Sequence, residues 1–462
     1  MANLEGVRKA VVLGLGKVTG AAAARALLAE GVEVRVTEAE GSEDALAQAE
    51  VLRSEGATVE FGEPAAALPF WADLVVPSPG VPPGHPLIKA ALEREVRVWS
   101  EIELGYRFLS GPLVAITGTN GKTTTTTLCR TMLEASGIEA VAAGNIGRPF
   151  VEAARESGDK TIVCEVSSAQ LFFVGRFRPQ VAVILNIADD HYDWHEGFDD
   201  YAKAKARITE KQTSEDLLIV RAGDPACLAI ASGSQARISA FGASTPQEVR
   251  NDVQAALNRE IESAGGCNEI ALSLLFGELE EQLIRTSEIR VRGTHNTENV
   301  LAAALAASAI GGVVAEIGRA VKNFIGLPHR MQLVQKKEGI TWINDSKATN
   351  PDATLRALEG MERVVLIVGG RSKGLDLSLL ARTKEQIKGL VVMGEAADEL
   401  QRIFAGVPIV EARDVESAAA KAREMAVAGD TIMLSPACSS LDQYDDYADR
   451  GDRFIKAAKA RA

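Results

Sequence analysis

A glycine loop between an apolar run and a helix pattern restricts the fold of this chain more than any other feature. The apolar run Leu113–Ile116 is closely followed by Gly118-Thr119-Asn120-Gly121-Lys122-Thr123, and residues 123–136 then show the apolar spacing of a helix. A strand, a glycine loop and a helix N-terminus in this order direct several backbone N–H groups toward one point. The sequence therefore predicts an α/β sheet with a phosphate-binding loop.

The loop also carries the side chains that phosphate chemistry requires. In the P-loop pattern the lysine, here Lys122, contacts the β- and γ-phosphates, and the hydroxyl that follows, here Thr123, ligates magnesium. The strict pattern has a glycine three residues before Thr119, where this chain has Ile116. A glycine turn without a ligand is the alternative, but we expect a nucleoside triphosphate to bind here.

The length of the chain restricts the number of domains, and its net charge restricts the class of binding partner. At 462 residues the chain exceeds one ordinary core, which predicts about two to four domains. Its 50 basic and 63 acidic residues give a net charge of −13. This balance argues against nucleic acid and against an anionic membrane as partners, so positive charge for a phosphate ligand must be concentrated locally.

The cysteines and the apolar runs predict a cytoplasmic protein. The five cysteines are odd in number and never form a C-x-x-C pair, so we expect buried thiols in a reducing compartment, namely Cys129, Cys164, Cys227, Cys267 and Cys438. The longest apolar run, residues 300–315, is shorter than the roughly 20 residues of a membrane helix. The N-terminal residues do not show the pattern of a signal peptide.

The first segment, to residue 105, alternates strands and helices. A strand at Lys9–Leu13, a turn with Gly14 and Gly16, a helix at 21–29 and a strand at 32–37 form a βαβ unit. With Gly20 the glycine series is one residue longer than the dinucleotide fingerprint, and an acid at position 38 follows the second strand, where a ribose-binding acid would lie. A dinucleotide, another nucleotide and a structural turn all remain compatible with this pattern.

The second segment, residues 106–326, and the third, residues 327–462, continue the alternation. Together they predict an α/β protein of three domains, with a Rossmann-like parallel sheet at the N-terminus, a P-loop ATPase-like domain in the centre and a doubly wound parallel sheet at the C-terminus. Residues 225–290 are expected to add a mixed or antiparallel part. The expected strands of the last two segments are Leu113–Thr117, 139–142, 161–166, 181–187, Leu217–Arg221, Ile340–Asn344, 364–368, 389–393, Ile409–Glu411 and Thr431–Leu434.

Two candidate metal ligands follow strands of the second segment. Glu165 is expected at the end of one strand and His191 at the end of the next. A carboxylate beside a phosphate loop is a usual magnesium ligand, and a histidine indicates a second, differently coordinated divalent ion. Read singly, each side chain can be structural. On a helix that follows, Lys203 and Lys205 face different directions, so at most one can point into the site, and both can be solvated.

The third segment places basic and hydroxyl groups at consecutive strand ends. The clusters are His329-Arg330, Asp345-Ser346-Lys347, Gly369-Gly370-Arg371-Ser372-Lys373 and Ser435-Pro436-Ala437-Cys438-Ser439-Ser440. Because a doubly wound sheet binds its ligand at this edge, we expect anionic phosphates and a substrate that carries carboxylates.

These motifs resemble the Mur ligases of peptidoglycan synthesis along the whole chain. Residues 117–124 resemble the family's ATP loop, including isoleucine in place of the first P-loop glycine, and residues 293–299 resemble its adenine-side H-N-x-x-N motif. Residues 326–330, 344–351 and 435–444 resemble the branch that adds D-glutamate, whereas the D-N-P-R motif of the diamino-acid branch does not occur. Among the departures, Arg221 stands where asparagine is common.

The resemblance implies ATP-dependent addition of D-glutamate to UDP-N-acetylmuramoyl-L-alanine through an acyl phosphate, by a monomer with two magnesium sites and a carbamylated Lys205. The implied catalytic residues are Lys122, Lys205, His191 and Arg330. The implied ATP-binding residues are Gly118, Thr119, Asn120, Gly121, Lys122, Thr123, Thr124, Asn296, Asn299, Arg330 and Asp345. The implied metal ligands are Thr123, Glu165, His191 and Lys205. The UDP-sugar would contact Gly14, Gly16, Thr37, Glu38 and Asn145, and D-glutamate would contact Thr349, Lys373, Ser440 and Tyr447.

Two functions from other classes compete with this one. A nicotinamide dehydrogenase would use the first segment but leaves the phosphate loop unexplained. A non-catalytic NTP-binding regulator would need the loop but not Lys347, Lys373 and Ser440 at the third sheet's edge.

Overall fold

The computed structural model describes residues 4, 6–16, 18–62, 68–192, 194–291 and 293–460. The chain divides into two compact units. The first unit comprises Met1–Ile187, Asp199–Glu288 and Glu298–Lys322, and the second comprises Ala188–Phe198, Ile289–Thr297 and Asn323–Ala462.

The first unit begins with a sheet of five parallel strands in the order β3-β2-β1-β4-β5. Its strands are β1 Lys9–Leu13, β2 Glu33–Glu38, β3 Thr58–Phe61, β4 Leu74–Pro77 and β5 Arg97–Val98. Its helices are α1 Thr19–Ala29, α2 Glu43–Ser54, α3 Leu68–Trp71, α4 Pro86–Leu92 and α5 Glu101–Tyr106. The strand order reverses between β1 and β4, so the crevice where such sheets bind ligands lies beside the glycine turn after β1.

The first unit also holds a nine-stranded sheet in the order β14-β13-β12-β11-β10-β9-β6-β8-β7. Its strands are β6 Leu113–Thr117, β7 Ala140–Gly144, β8 Thr161–Glu165, β9 Val181–Ile184, β10 Leu217–Arg221, β11 Arg237–Phe241, β12 Ser263–Cys267, β13 Ala271–Phe276 and β14 Leu279–Arg285. Strands β6 to β12 run parallel, while β13 and β14 pair antiparallel. This confirms the antiparallel part expected within residues 225–290.

Helices cover this sheet and connect its strands. They are α6 Lys122–Ala135, α7 Phe150–Glu156, α8 Ser168–Phe172, α9 Phe198–Ala206, α10 Pro225–Gly233, α11 Pro246–Leu257, α12 Thr294–Ala309 and α13 Val314–Asn323. All five residues of β6 are buried, as expected for a central strand with helices on both faces.

A buried carboxylate ties helix α5 to the loop that precedes β9. Glu103, in α5, is 0% exposed and accepts hydrogen bonds of 2.8 to 3.0 Å from the backbone N–H groups of Gly175, Arg176 and Phe177. Arg107 donates to the same carboxylate at 2.9 Å. These hydrogen bonds hold α5 against the loop that precedes β9.

The second unit contains a six-stranded sheet in the order β15-β16-β20-β17-β18-β19. Its strands are β15 Gln332–Lys337, β16 Ile340–Asn344, β17 Val364–Gly369, β18 Ile387–Met393, β19 Ile409–Glu411 and β20 Thr431–Leu434. Its later helices are α14 Pro351–Leu358, α15 Ala397–Ile403, α16 Val415–Met425 and α17 Tyr447–Ala460. Asn350 caps α14 by accepting the N–H of Ala353.

Three expectations about this fold were wrong in detail. The third sheet is not wholly parallel, because the edge strand β15 pairs antiparallel with β16. The strand expected to reach His191 ends at Ile184. Cys267, at the end of β12, is only partly buried, whereas the other four cysteines are buried.

Candidate active site

The predicted phosphate loop lies between β6 and α6. Gly121 has a φ of 88°, and a Cβ atom added there would lie 2.3 Å from Oδ1 of Asn299. Only glycine therefore fits at this position. The N–H of Asn120 donates to Oδ1 of Asn186 at 2.9 Å, and Oγ1 of Thr125 donates to Oδ1 of Asn299 at 3.3 Å. The structure thus brings Asn299 of the predicted adenine-side motif onto the loop.

Two lysine ammonium groups converge on one carbonyl of this loop. Lys122 Nζ donates to Gly118 O at 2.7 Å and to Thr119 O at 2.8 Å. Lys205 Nζ donates to the same Gly118 O at 3.0 Å. Lys205 is 1% exposed, whereas Lys203 is exposed. The alternative that both lysines of α9 are solvated is therefore wrong for Lys205.

Glu165, the last residue of β8, lies beside Asn145. Glu165 is 2% exposed, and its Oε1 accepts a hydrogen bond from Asn145 Nδ2 at 2.9 Å. Its Oε2 is buried and has no hydrogen-bond partner among the described residues. A buried carboxylate oxygen without a partner is costly, and a cation bound here would compensate it.

Magnesium suits this donor set, although no group of three or more His, Cys, Asp or Glu side chains within the described ranges could hold a metal ion. Magnesium usually takes one or two carboxylates and completes its shell with water and phosphate oxygens. Glu165 and Thr123 both carry oxygen atoms of the kind that magnesium binds.

The predicted UDP-sugar residues of the first sheet also lie together. Oε2 of Glu38 accepts the N–H of Leu15 at 2.7 Å, and the N–H of Gly14 donates to Thr37 O at 2.8 Å. The Thr37 hydroxyl is buried without a hydrogen-bond partner in the described part of the chain. A Cβ at Gly20 would lie 2.1 Å from Gly14 O. Gly20 is thus required for close packing despite the longer glycine spacing.

In the second unit, His191 is not at a strand end but in a loop. It has a φ of 56°, its side chain is 49% exposed, and Nε2 lies 3.7 Å from Oδ2 of Asp190. The buried Asp190 accepts a hydrogen bond from Asn350 Nδ2 at 3.0 Å, and its Oδ1 lies 3.9 Å from Lys373 Nζ. Asp190 therefore links the predicted metal ligand to the predicted acceptor-binding lysine.

The strand-end clusters of the third sheet meet as expected. An isolated antiparallel bridge joins Arg371 to Ser439, which places the Gly369–Lys373 segment beside Ser440. Lys347 Nζ lies 3.7 Å from the ring centroid of Tyr447, the first residue of α17. The N–H of Thr349 donates to Lys347 O at 2.8 Å. All four residues predicted to contact D-glutamate thus lie in the second unit, around these loops.

The predicted ATP residues of the second unit occupy different environments. Asp345 is 7% exposed and accepts hydrogen bonds from the N–H of Met331 at 3.1 Å and from Ser435 Oγ at 2.9 Å. Burial raises its pKa to about 7, although these bonds and the nearby Arg330 charge act in the opposite direction. Asn296 lies in the first turn of α12, where its N–H donates to Gly293 O.

Sequence reasoning missed a buried arginine beneath these loops. Arg450, in α17, is 0% exposed and forms no ion pair within the described ranges. It donates to Ser346 Oγ and Ser346 O at 3.0 and 2.9 Å, and to Cys438 O at 3.2 and 3.3 Å. Burial lowers its pKa to about 10, so it stays charged at neutral pH. In the sequence Arg450 directly follows Asp449 and lies two residues before Asp452. Acidic neighbours of this kind are typical of a solvated helix face.

Comparison with known proteins fits this architecture. Family models match in chain order: the MurD-like N-terminal domain of Mur ligases at residues 8–100, the Mur ligase middle domain at residues 116–307 and the Mur ligase glutamate ligase domain at residues 329–438. The chain belongs to the Mur ligase family.

Particular relatives match it almost end to end. A UDP-N-acetylmuramoylalanine–D-glutamate ligase of Desulfosudis oleivorans is 39% identical over 98% of this chain and 96% of its own length. One of Myxococcus xanthus is 41% identical over 98% of each. The solved structure of UDP-N-acetylmuramate-alanine ligase MurC from Thermotoga maritima matches with a TM-score of 0.59 at 19% identity, covering 98% of this chain and 100% of that one. The last match shows the shared fold. Across the described residues, no helix is long and apolar enough to span a membrane.

Proposed function

We propose that this protein is an ATP-dependent ligase that joins D-glutamate to UDP-N-acetylmuramoyl-L-alanine in cytoplasmic peptidoglycan precursor synthesis, and that it acts as a monomer. The observation that carries the proposal is the end-to-end match to relatives with this name. The domains correspond to residues 1–105 for the UDP-sugar, 106–326 for ATP and 327–462 for the amino acid.

The ATP site is assigned to the loop between β6 and α6. The positive φ of Gly121 and the position of Lys122 on this loop support the assignment. The loop residues are Gly118, Thr119, Asn120, Gly121, Lys122, Thr123 and Thr124, with Asn299 packed against them. As the resemblance implies, Asn296, Arg330 and Asp345 are also proposed to bind ATP. Thr123, Glu165 and His191 would hold magnesium, which would neutralise charge on the phosphates when bound.

Lys205 is assigned as a carbamylated lysine. Its ammonium group and that of Lys122 both donate to Gly118 O, so two like charges lie close together in a site where Lys205 is buried. Carbamylation requires the neutral amine, which a cation bound nearby would favour. The neutral amine can then add to CO2, forming an N–C bond and releasing one proton, which leaves a carbamate anion. This change removes the repulsion and supplies an oxygen ligand for a cation.

The donor substrate would bind at the first sheet, near Gly14, Gly16, Thr37 and Glu38, with Asn145 near its pyrophosphate. The hydroxyl of Thr37, buried and without a hydrogen-bond partner among the described residues, supports a polar ligand there. D-glutamate would bind to Thr349, Lys373, Ser440 and Tyr447. Lys373 offers a compact positive charge, and the hydroxyl groups offer hydrogen bonds to the carboxylates.

The reaction then proceeds in two steps. The alanyl carboxylate of the donor attacks the γ-phosphorus, the bond to the β-phosphate oxygen breaks, and ADP and an acyl phosphate result. The amine of D-glutamate attacks the acyl carbon, loses a proton, and the tetrahedral intermediate expels phosphate. Lys122 and Arg330 would supply positive charge to the transferred group, and the remaining residues orient the substrates.

A phosphate-release assay with each substrate omitted in turn tests the function. We expect release only when ATP, D-glutamate and UDP-N-acetylmuramoyl-L-alanine are all present. Release that is independent of D-glutamate would favour an NTP-binding regulator, and nicotinamide-dependent absorbance changes would favour a dehydrogenase. A screen of D-amino acids with the same donor would establish the acceptor.

The carbamate has its own test. Incubation with 13C-labelled CO2 should give a carbamate signal in the NMR spectrum of the wild type and of Lys203→Ala, but not of Lys205→Ala. Short-chain carboxylates should partly restore the activity of Lys205→Ala. A healthy Lys205→Ala with a dead Lys203→Ala would refute the assignment.

A further inference from the structure

An ion pair connects the end of β10 to helix α12. Nε of Arg221 donates to Oε1 of Glu298 at 2.8 Å, and the two side chains are 24% and 8% exposed. Burial lowers the pKa of Arg221, but the charge of Glu298 and the hydrogen bond to it outweigh this effect and the pKa is raised. The pair is therefore well formed and largely shielded from water.

Glu298 immediately precedes Asn299, which contacts the predicted ATP loop. Oδ1 of Asn299 accepts the Thr125 hydroxyl and approaches Gly121 so closely that no side chain fits there. Consecutive side chains of an α-helix project about 100° apart. The two contacts therefore hold α12 from two directions, one at β10 and one at the loop, and together they fix the rotation of the helix about its axis.

We propose that the Arg221–Glu298 pair is a positioning device that sets the rotation of α12, so that Asn299 meets the ATP loop, and that it thereby controls the affinity for ATP. Neither residue needs to touch the nucleotide. The inference rests on the proposed function for the assignment of the loop to ATP.

Removing one partner leaves the other charge buried and unpaired, which drives the helix to rearrange. Arg221→Gln should therefore raise the KM and the calorimetric Kd for ATP by roughly tenfold, while kcat and the KM values for D-glutamate and the UDP-sugar stay within about twofold. Glu298→Gln, which keeps the volume, should act in the same direction. The exchanged double variant, Arg221→Glu with Glu298→Arg, should recover part of the ATP affinity.

Arg237→Gln is the matched control. Arg237, on the neighbouring strand β11, pairs with Glu262 at 2.7 Å, but both side chains are exposed, at 49% and 40%. Its loss should leave ATP binding unchanged, because exposed pairs contribute little. Melting temperatures show which variants fold. If Arg221→Gln does not fold, Glu298→Gln tests the inference.

Unchanged ATP affinity in both single variants would overturn the inference, as would an equal loss of affinity for ATP and the UDP-sugar. Calorimetry with ATP alone separates this inference from the proposed function. A wild type that binds ATP without D-glutamate-dependent phosphate release refutes the function and leaves the positioning role intact. A wild type that does not bind ATP refutes both.

Discussion

A buried glutamate should make the stability of this protein fall as the pH rises. Glu101, in α5, is 2% exposed, and its Oε1 accepts the N–H of Val151 at 2.6 Å. Its Oε2 has no hydrogen-bond partner among the described residues. Burial, opposed by the bond from Val151, raises the pKa of Glu101 from 4.5 to about 7.

The sign follows from proton linkage. Between these two pKa values the folded state keeps the proton that the unfolded state has lost, so the free energy of unfolding falls as the pH rises. The favourable contribution is complete below the unfolded pKa and is lost as the pH passes through about 7. One pKa unit corresponds to about 1.4 kcal/mol, which gives a loss of about 3 kcal/mol.

Glu101→Gln keeps the shape and the acceptor oxygen but cannot ionise. Urea unfolding of the wild type and the variant between about pH 4 and pH 9 should therefore show free energies that diverge by about 3 kcal/mol in favour of the variant. Glu93→Gln, at an exposed position before β5, is the control and should show no divergence. Parallel pH profiles for wild type and Glu101→Gln would refute the reasoning.

Three further predictions concern the proposed reaction. Lys122→Ala should abolish turnover without weakening UDP-sugar binding in calorimetry; an equal loss of both affinities would contradict the ATP assignment. Arg330→Lys keeps the charge but loses the fork geometry, so kcat should fall much more than D-glutamate affinity, and an unchanged kcat would remove Arg330 from the mechanism. Lys373→Ala removes a charged partner, typically worth about 2–5 kcal/mol, so the D-glutamate KM should rise at least some tens of times with ATP affinity intact; an unchanged KM would mean that Lys373 only stabilises its loop.

Much of the fold follows from the sequence because apolar runs bounded by glycine or Asx residues mark buried parallel strands. Strands β6, β16 and β20 were predicted to the residue for this reason. Strand β15 was not, because Gln332–Lys337 lies at an edge, where backbone pairing with β16 suffices and polar or charged side chains are tolerated.

The candidate site could be predicted where a motif requires a particular backbone geometry. It was less predictable where contacts between residues distant in sequence determine whether a side chain is buried. The loop at Gly118–Thr123 follows from local sequence. The burial of Lys205 and of Arg450 does not, because a lysine or arginine among charged neighbours has the same pattern on a solvated helix face as in a buried one. The loop position of His191 depends on where pairing of β9 stops, and the sequence gives no signal for that end.

The carboxylate of Glu103 determines where this chain can be cut. A fragment that starts at residue 106 would lose Glu103 and leave the N–H groups of Gly175, Arg176 and Phe177 without their acceptor. Of these three residues Phe177 is the buried one, and a backbone group that stays buried without a partner costs about 1–3 kcal/mol. The part proposed to bind ATP should therefore be excised with α5 and with Ser100, whose hydroxyl caps that helix. The short helix belongs physically with the sheet that follows it, on whichever side of a domain boundary it is counted.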